Sequence, residues 1–452
     1  MRQGGATVVT AAHRRARFTN RRVPGRLTLS RCCHHAELRM PLPMEAIATL
    51  ALAKSLFDPL SKRFKDDPYP VLRLVREHEP IHRTEYGLLI ATRYDDVLFI
   101  LKDKRFRRDF EGGTVAMYGE AGLQDYSTQV MRHWIVNHNP PEHLRLRKHM
   151  VRAISNTRML RLEKPTRAFC HQLIDHALQK RSLDLVTDYT FPLTALVICD
   201  LLGIPNDERA MFVERSIVPD PGLLDIVPVS PATMAAAGNK IRTIIDYFED
   251  LCARKRINPG DDFTSDLLRL QADDPELTLD AITAHMFFMF FAGHQSTQNL
   301  ISNALLALYS RPDQVAVLRA DPALIDNAVE ELVRFDTSVQ TAHVHSPTVD
   351  VMVGDTLVHA GDLILPLLGA ANRDPARHEN PELLDLRRPD PSHLTFGGGS
   401  HYCIGARLAT FELKAAIETL EQRLPTLQLR DGDPQRLSTY TLRGLKTLAA
   451  MW

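Results

Sequence analysis

The sequence predicts a mainly α fold with a minor β-region, and three observations carry that prediction. From Pro140 to Phe335 apolar residues recur mostly at helical spacing, whereas β-rich runs are short and fall at residues 87–92, at 338–368 and in the tail. Of 452 residues, 44% are apolar and 24% charged, ordinary values for a globular chain with a large core. Six cysteines in a chain this long do not make a disulfide scaffold and fit a reducing, cytoplasmic setting. A membrane span needs about 20 apolar residues, and the longest apolar run, Met286 to Ala292, is far shorter.

The elements follow in chain order. Residues 1–43 hold nine Arg and no Lys against one acid, Glu37, a charge of +8 that the rest of the chain offsets with −8. They read as a leader outside the folded domain, with Met40 or Met44 opening the domain proper; no recognition motif accompanies the charge to suggest nucleic-acid binding. Residues 44–452 then form a single domain, compact from residue 57. Asp66-Asp67-Pro68-Tyr69-Pro70 is a turn cluster, and Val71, Leu72, Leu74 and Val75 begin a helical pattern. Gly87 to Thr92 reads as a strand and Tyr94 to Leu101 as a helix. Residues 110–135, rich in Gly, are expected to form a long irregular loop over a site. Pro219, Pro221, Pro228 and Pro231 make 216–232 a mobile loop between helices. A helix of roughly 48 Å, at 1.5 Å per residue, is expected from about Thr278 to Ser310. Another begins at Asp321-Pro322, an N-cap followed by Pro at the first helical position. Short strands fill 338–368, a Pro- and Asp-rich loop runs from 372 to 400, a final helix spans about 404–424, and the tail is β-like.

Four features depart from what packing alone would write. The long helix is apolar on nearly all sides from His285 to Ala292, so it runs through the interior. It then turns polar at Gly293-His294-Gln295-Ser296-Thr297-Gln298, and buried polar groups must find partners or line a wet cavity. The glycine there permits close approach by a ligand. Glu331 and Arg334 are spaced i,i+3, ordinarily a surface pair worth about 0.2–0.5 kcal/mol, yet Glu331 borders the apolar face of Leu324, Ile325, Ala328 and Leu332. His143 and Arg147 share one face at the start of a helix after Pro140-Pro141, which suits an anion or a solvated basic surface. Finally, Phe396-Gly397-Gly398-Gly399-Ser400-His401-Tyr402-Cys403 leads straight into the last helix. Free N–H groups at a helix start stabilise a Cys403 thiolate, and the glycines let the backbone lie flat against something broad. On the residues alone Cys403 is a ligand to a broad group, a nucleophile with His401 as base, or a zinc ligand lacking nearby partners.

In this order, the motifs resemble those of the bacterial cytochrome P450s, heme-thiolate monooxygenases, over about residues 57–452. FGGGSHYCIG at 396–405 is similar to the family's heme-binding signature, AGHQST at 292–297 to its oxygen-activating segment, and ELVR at 331–334 to its Glu-x-x-Arg pair. ANRDP at 371–375 and RGLKTLAAMW at 443–452 resemble its late-chain pattern. The resemblance implies the cytochrome P450 fold, with heme b between the long central helix and the Cys loop with the last helix. Cys403 would be the axial thiolate of the iron, Phe396 would pack beside the sulfur, and Gly397 would lie in the loop against the heme. His143, Arg147 and His401 match positions that pair with the heme propionates. His345 stands where the family usually has Arg and would bind a propionate only when protonated, which implies pH-sensitive heme retention. Glu331, Arg334 and Arg388 would form a buried network locking the Cys loop.

The family usually places an acid and then Thr in the central helix, where this chain has Gln295 and Ser296. Ser296 keeps a hydroxyl for proton relay, but Gln295 cannot ionise, so His294, water or the substrate would supply protons. The implied activity is insertion of one oxygen atom from O2, by hydroxylation or epoxidation, into a mid-sized, largely apolar small molecule such as a polyketide secondary metabolite. The alternative is oxidative coupling or desaturation without oxygen insertion. Electrons would come from NAD(P)H through a separate ferredoxin reductase and ferredoxin, docked on Arg145, Lys148 and Arg407. Substrate contacts are expected from 110–135, 216–232, 290–297, Thr341 to Val344 and Ser438 to Leu442. The protein is expected to be a cytoplasmic monomer without nucleic-acid or membrane partners.

Overall fold

A computed structural model of the chain describes residues 58–59, 61–85, 87–215, 229–432 and 434–452. The Arg-rich leader and residues 216–228 of the expected mobile loop lie outside them. A helix from Leu279 to Tyr309 forms the axis of the helical mass, with the Thr278 side chain accepting from the Ala281 N–H at its start. Helices Phe191–Leu202, Pro231–Ile257, Ile325–Phe335 and Ala406–Arg423 pack around it. Because it is enclosed on all sides, Met286, Phe287 and Phe290 fall in the largest buried cluster, as their unbroken apolar run requires. Among the described residues one helical stretch, Leu185–Leu202, is long and apolar enough to cross a membrane, but 67% of it is buried inside the protein.

The β-region is small and lies to one side. Strands β1 (Ile81–Arg83), β2 (Leu89–Ala91), β3 (Phe106–Arg108), β5 (His345–Pro347) and β8 (Ile364–Pro366) make a five-stranded sheet in the order β1-β2-β8-β5-β3. Strands β2 and β8 are parallel and the other pairs antiparallel. Strands β4 (Leu183–Asp184), β10 (Ala449–Met451) and β9 (Gln428–Leu429) form a second sheet, and β6 (Val351–Val353) pairs with β7 (Thr356–Val358). The β3–β5 register sets Arg108 directly opposite His345.

Two sequence expectations change. Residues 110–135 are mainly helical rather than an irregular loop, with helices Phe110–Gly122 and Tyr126–Arg132. The Asp109 and Asp125 carboxylates accept from the N–H groups of Gly112 and Ser127, and these caps outweigh the low helix propensity of four glycines. The glycine cost surfaces as a break at Gly119. Asp321 caps a single 3-10 turn, Pro322–Leu324, and the α-helix proper starts at Ile325.

Candidate active site

The last helix begins at Ala406, so its unpaired first amides lie beside Cys403. Burial raises the thiol above its usual value, while the amides of Gly405 and Ala406 and the Arg147 charge pull it down. Cys403 is exposed although its sulfur is enclosed by protein, because it faces an internal cavity. An enclosed thiolate supported by two amides fits a metal ligand, since the metal replaces the proton that burial would otherwise retain. The Cys403 N–H donates to the Phe396 carbonyl at 3.0 Å, which closes the loop. Gly399 has φ +63° and approaches the Leu101 backbone so closely that a Cβ would sit 2.3 Å from its carbonyl oxygen. Gly397 lines the cavity with φ +72°, and a Cβ there would meet no atom within 4 Å, so its absence leaves a flat floor.

Above the sulfur, water-molecule centres fit into about 290 Å³ of a cavity walled mainly by apolar residues such as Ile198, Phe288, Phe291, Leu300, Val339 and Leu442. One end is basic, lined by Arg108, His143, Arg147, His343 and His401, with no acid among them. His143 and His401 lie face to face with ring centroids 3.8 Å apart. Burial, then the neighbouring Arg147 and Arg108 charges, hold His143 down to about 4, so it is neutral near pH 7. Its Nδ1 is buried without a partner. Arg147 donates from Nη2 to the Tyr402 carbonyl at 2.8 Å, joining this end to the Cys loop. Carboxylates such as heme propionates suit a basic end with unpaired donors.

His345 departs from expectation. It does not line the cavity, its Nδ1–H donates to the His343 carbonyl at 2.8 Å, and burial with the Arg108 charge holds its pKa well below the usual value. The ring is tied to its own strand through Nδ1 rather than turned to the cavity.

On the central helix, Ala292, Gly293, Ser296 and Thr297 form part of the wall. The Ser296 hydroxyl donates to the Ala292 carbonyl at 2.5 Å, leaving its lone pairs free to accept. Gly293 also makes room for helix packing, for a Cβ there would lie 2.7 Å from Cδ1 of Ile198. His294 points away from the cavity, edge-on to Phe191 at 4.7 Å and stacked on Phe290 at 5.5 Å. Its Nε2 faces the Phe191 carbonyl at 3.3 Å, and burial holds it down to about 4, so the expected proton source is a neutral packing residue. Gln295 also stands off the wall, with its Oε1 buried and unpartnered.

The Cys loop is anchored from behind. Glu331 accepts from Arg334 Nε at 2.7 Å and Nη2 at 2.8 Å and from Arg388 Nε at 2.9 Å. Glu331 and Arg334 are 0% exposed, which excludes the surface-pair reading. On the outer face, Arg145 is engaged by Glu142 and Asp274, while Lys148 and Arg407 remain exposed.

Sequence reasoning missed Arg108 and Glu412, both on the cavity wall. Arg108 sat unnoticed among Lys102, Lys104, Arg105 and Arg107, a run that reads as solvated charge. Burial pushes the Glu412 carboxyl, in the last helix, well above the usual carboxylate range. From 110–135 only Trp134 and Ile135 reach the wall, and from Thr341 to Val344 all but Val344 do.

The cytochrome P450 family model matches residues 92–440. The monooxygenase PikC of Streptomyces venezuelae is 34% identical over 407 residues, covering 87% of this chain and 93% of its own length. A solved structure of P450BioI in complex with an acyl carrier protein ligated with hexadec-9Z-enoic acid superposes with a TM-score of 0.80 at 29% identity, covering 86% of this chain and all of that one. The cytochrome P450 PksS of the Bacillus subtilis bacillaene polyketide synthase gives 0.78 at 30% identity, over 88% of this chain and 99% of its own. A thiol enclosed beneath a long central helix, in a fold and sequence shared across almost the whole length of these relatives, has one explanation: the chain belongs to the cytochrome P450 family.

Proposed function

We propose that the chain inserts one oxygen atom from O2, by hydroxylation or epoxidation, into a mid-sized, largely apolar secondary metabolite such as a polyketide. Its family carries heme on a cysteine thiolate and uses external redox partners and a small-molecule substrate. The observation that supports the reading is that Cys403 and Ser296 share one enclosed, mainly apolar cavity. Cys403 would hold the iron of heme b, Phe396 and Gly397 would lie against it, and His143, Arg147 and His401 would face its propionates. When bound, heme supplies the one-electron chemistry that activates dioxygen. The protein walls exclude water and orient the substrate. With its own proton directed at Ala292, Ser296 would accept a hydrogen bond from water or substrate; it passes a proton on by turning that hydroxyl from Ala292 into the cavity as it takes up another, and Thr297 adds a second hydroxyl. PksS supports polyketide chemistry, and the P450BioI complex adds carrier-tethered chains to the substrates to be screened.

Gln295 favours a second reading. With an amide in place of an acid and its carbonyl unpartnered, proton delivery is slow, which suits coupling or desaturation without oxygen insertion. The test uses isotopically labelled O2 with a substrate found by spin-state screening: one labelled oxygen in the product supports the first reading, none the second. Ser296→Ala should lower coupling of NAD(P)H oxidation to product about tenfold or more, and Gln295→Glu should raise it. If neither variant changes coupling, the Ser296 relay is wrong. Electrons are proposed to arrive from NAD(P)H through a ferredoxin reductase and ferredoxin, to a cytoplasmic monomer whose domain is residues 44–452.

A further inference from the structure

Arg108 is a half-buried cation without a counter-charge among the described residues. It ends strand β3, its Nε and Nη1 are inaccessible and unpartnered, and no ion pair among the described residues includes it. Arg108 lines the cavity. Desolvating a guanidinium in this way is costly unless an anion arrives to pair with it. Its placement is deliberate in the geometric sense. The Arg108 N–H donates to Asn139 Oδ1 and its carbonyl accepts from Asn139 Nδ2, both at 2.9 Å, and the Asn139 carbonyl accepts the His143 N–H at 3.0 Å. One side chain therefore clamps Arg108 to the helix that presents His143.

Across the strand pair, Arg108 faces His345 in register. Directly opposite residues share one face of a sheet with Cβ atoms about 4.5–5.5 Å apart, so a cation at either position reaches the same space. His345 is tied through Nδ1 to the His343 carbonyl, and the wall groups beside Arg108 at this end are His143, His343, His401 and Arg147. We propose that Arg108 is a heme-propionate ligand, the charge at this end being supplied from β3 in place of position 345 on β5. A guanidinium fork matches the two oxygens of a carboxylate. The inference rests on the heme reading above, so the reduced carbon-monoxide spectrum of the wild-type protein is recorded first; a protein that binds no heme fails that reading rather than this one.

The test follows heme loss from the full-length, heme-loaded protein to excess apomyoglobin for Arg108→Gln, His345→Gln and the charge-swapped pair R108Q/H345R. Removing a charge-assisted contact to the cofactor should speed loss about tenfold or more in Arg108→Gln, leave His345→Gln near wild type, and return the pair to within about threefold. The rescue is a result that a merely structural role of Arg108 would not produce. Far-ultraviolet circular dichroism of each protein checks folding, and should Arg108→Gln alone not fold, the wild type, His345→Gln and the swapped pair still decide. A wild-type loss rate in folded Arg108→Gln, a fast rate in His345→Gln, or a swapped pair that loses heme tenfold faster overturns the assignment. So does an Arg108→Gln protein that keeps heme but loses the spin shift induced by a fatty acid, for then the carboxylate belongs to the substrate.

Discussion

Replacing Glu331 by Gln removes one charge from a site that holds three ionised groups. The carboxylate accepts two bonds from Arg334, one from Arg388 at 2.9 Å and one from the Asp385 N–H at 3.1 Å. The same guanidinium groups hold the carbonyls of Asn372 and Pro381, and of Glu379, Asn380 and Leu383. Glutamine keeps the shape but leaves two buried cations without a counter-ion and turns an NH2 toward guanidinium N–H groups. Breaking a buried pair from one side costs about 3–5 kcal/mol, whereas a solvated i,i+3 pair contributes about 0.2–0.5 kcal/mol. The tenfold gap makes the outcome decisive. The assay is urea unfolding of wild type and Glu331→Gln at equal heme loading, because bound heme adds stability by mass action. Loading itself should fall, since the anchored segment continues into Leu394, held by Asn372 Oδ1 at 2.7 Å, and Thr395, held by the Val333 carbonyl at 3.0 Å. A stability within about 0.5 kcal/mol of wild type refutes the reasoning.

Gly399→Ala places a Cβ against the Leu101 carbonyl at positive φ and should cost about 1–3 kcal/mol of apoprotein stability; an unchanged melting temperature counts against it. Acid should destabilise the apoprotein through His285, which is fully buried with Nδ1–H donated to the Ala281 carbonyl at 2.6 Å. Burial holds it down to about 4, so between an ordinary value near 6.5 and 4 the unfolded chain takes up a proton that the folded one refuses. Stability is therefore full above pH 6.5 and lost as pH falls toward 4, and His285→Gln should flatten that slope; an equal slope in both proteins rejects the linkage. For redox docking, Lys148→Glu with Arg407→Glu should slow reduction by ferredoxin and weaken its salt dependence, while Arg145→Gln, already engaged by Glu142 and Asp274, should not. Equal effects of all three substitutions, or no salt dependence in the wild type, would remove the proposed patch.

Much of the site was legible because its signals are local. Three glycines before Cys403, a helix start after it, and an apolar helix that turns polar at Gly293 are written in consecutive residues. Periodicity, however, tells which residues are buried and not what they are buried against. Ser296 reaches the cavity while His294, two residues earlier and so about 200° around the helix, packs between Phe191 and Phe290. Composition misled over 110–135, where two aspartate caps and packing overrode the glycines.

By itself the sequence determined the long central helix, the thiolate loop and the Glu331–Arg334 spacing, each set by bonds and steric limits within a few residues. Only the tertiary structure decided that Gly399 must yield to the Leu101 carbonyl. It alone set Arg108 opposite His345 at the basic end of the cavity. The reason is physical: cross-strand register and the desolvation of a charge depend on which distant segments meet, and no local pattern encodes that meeting.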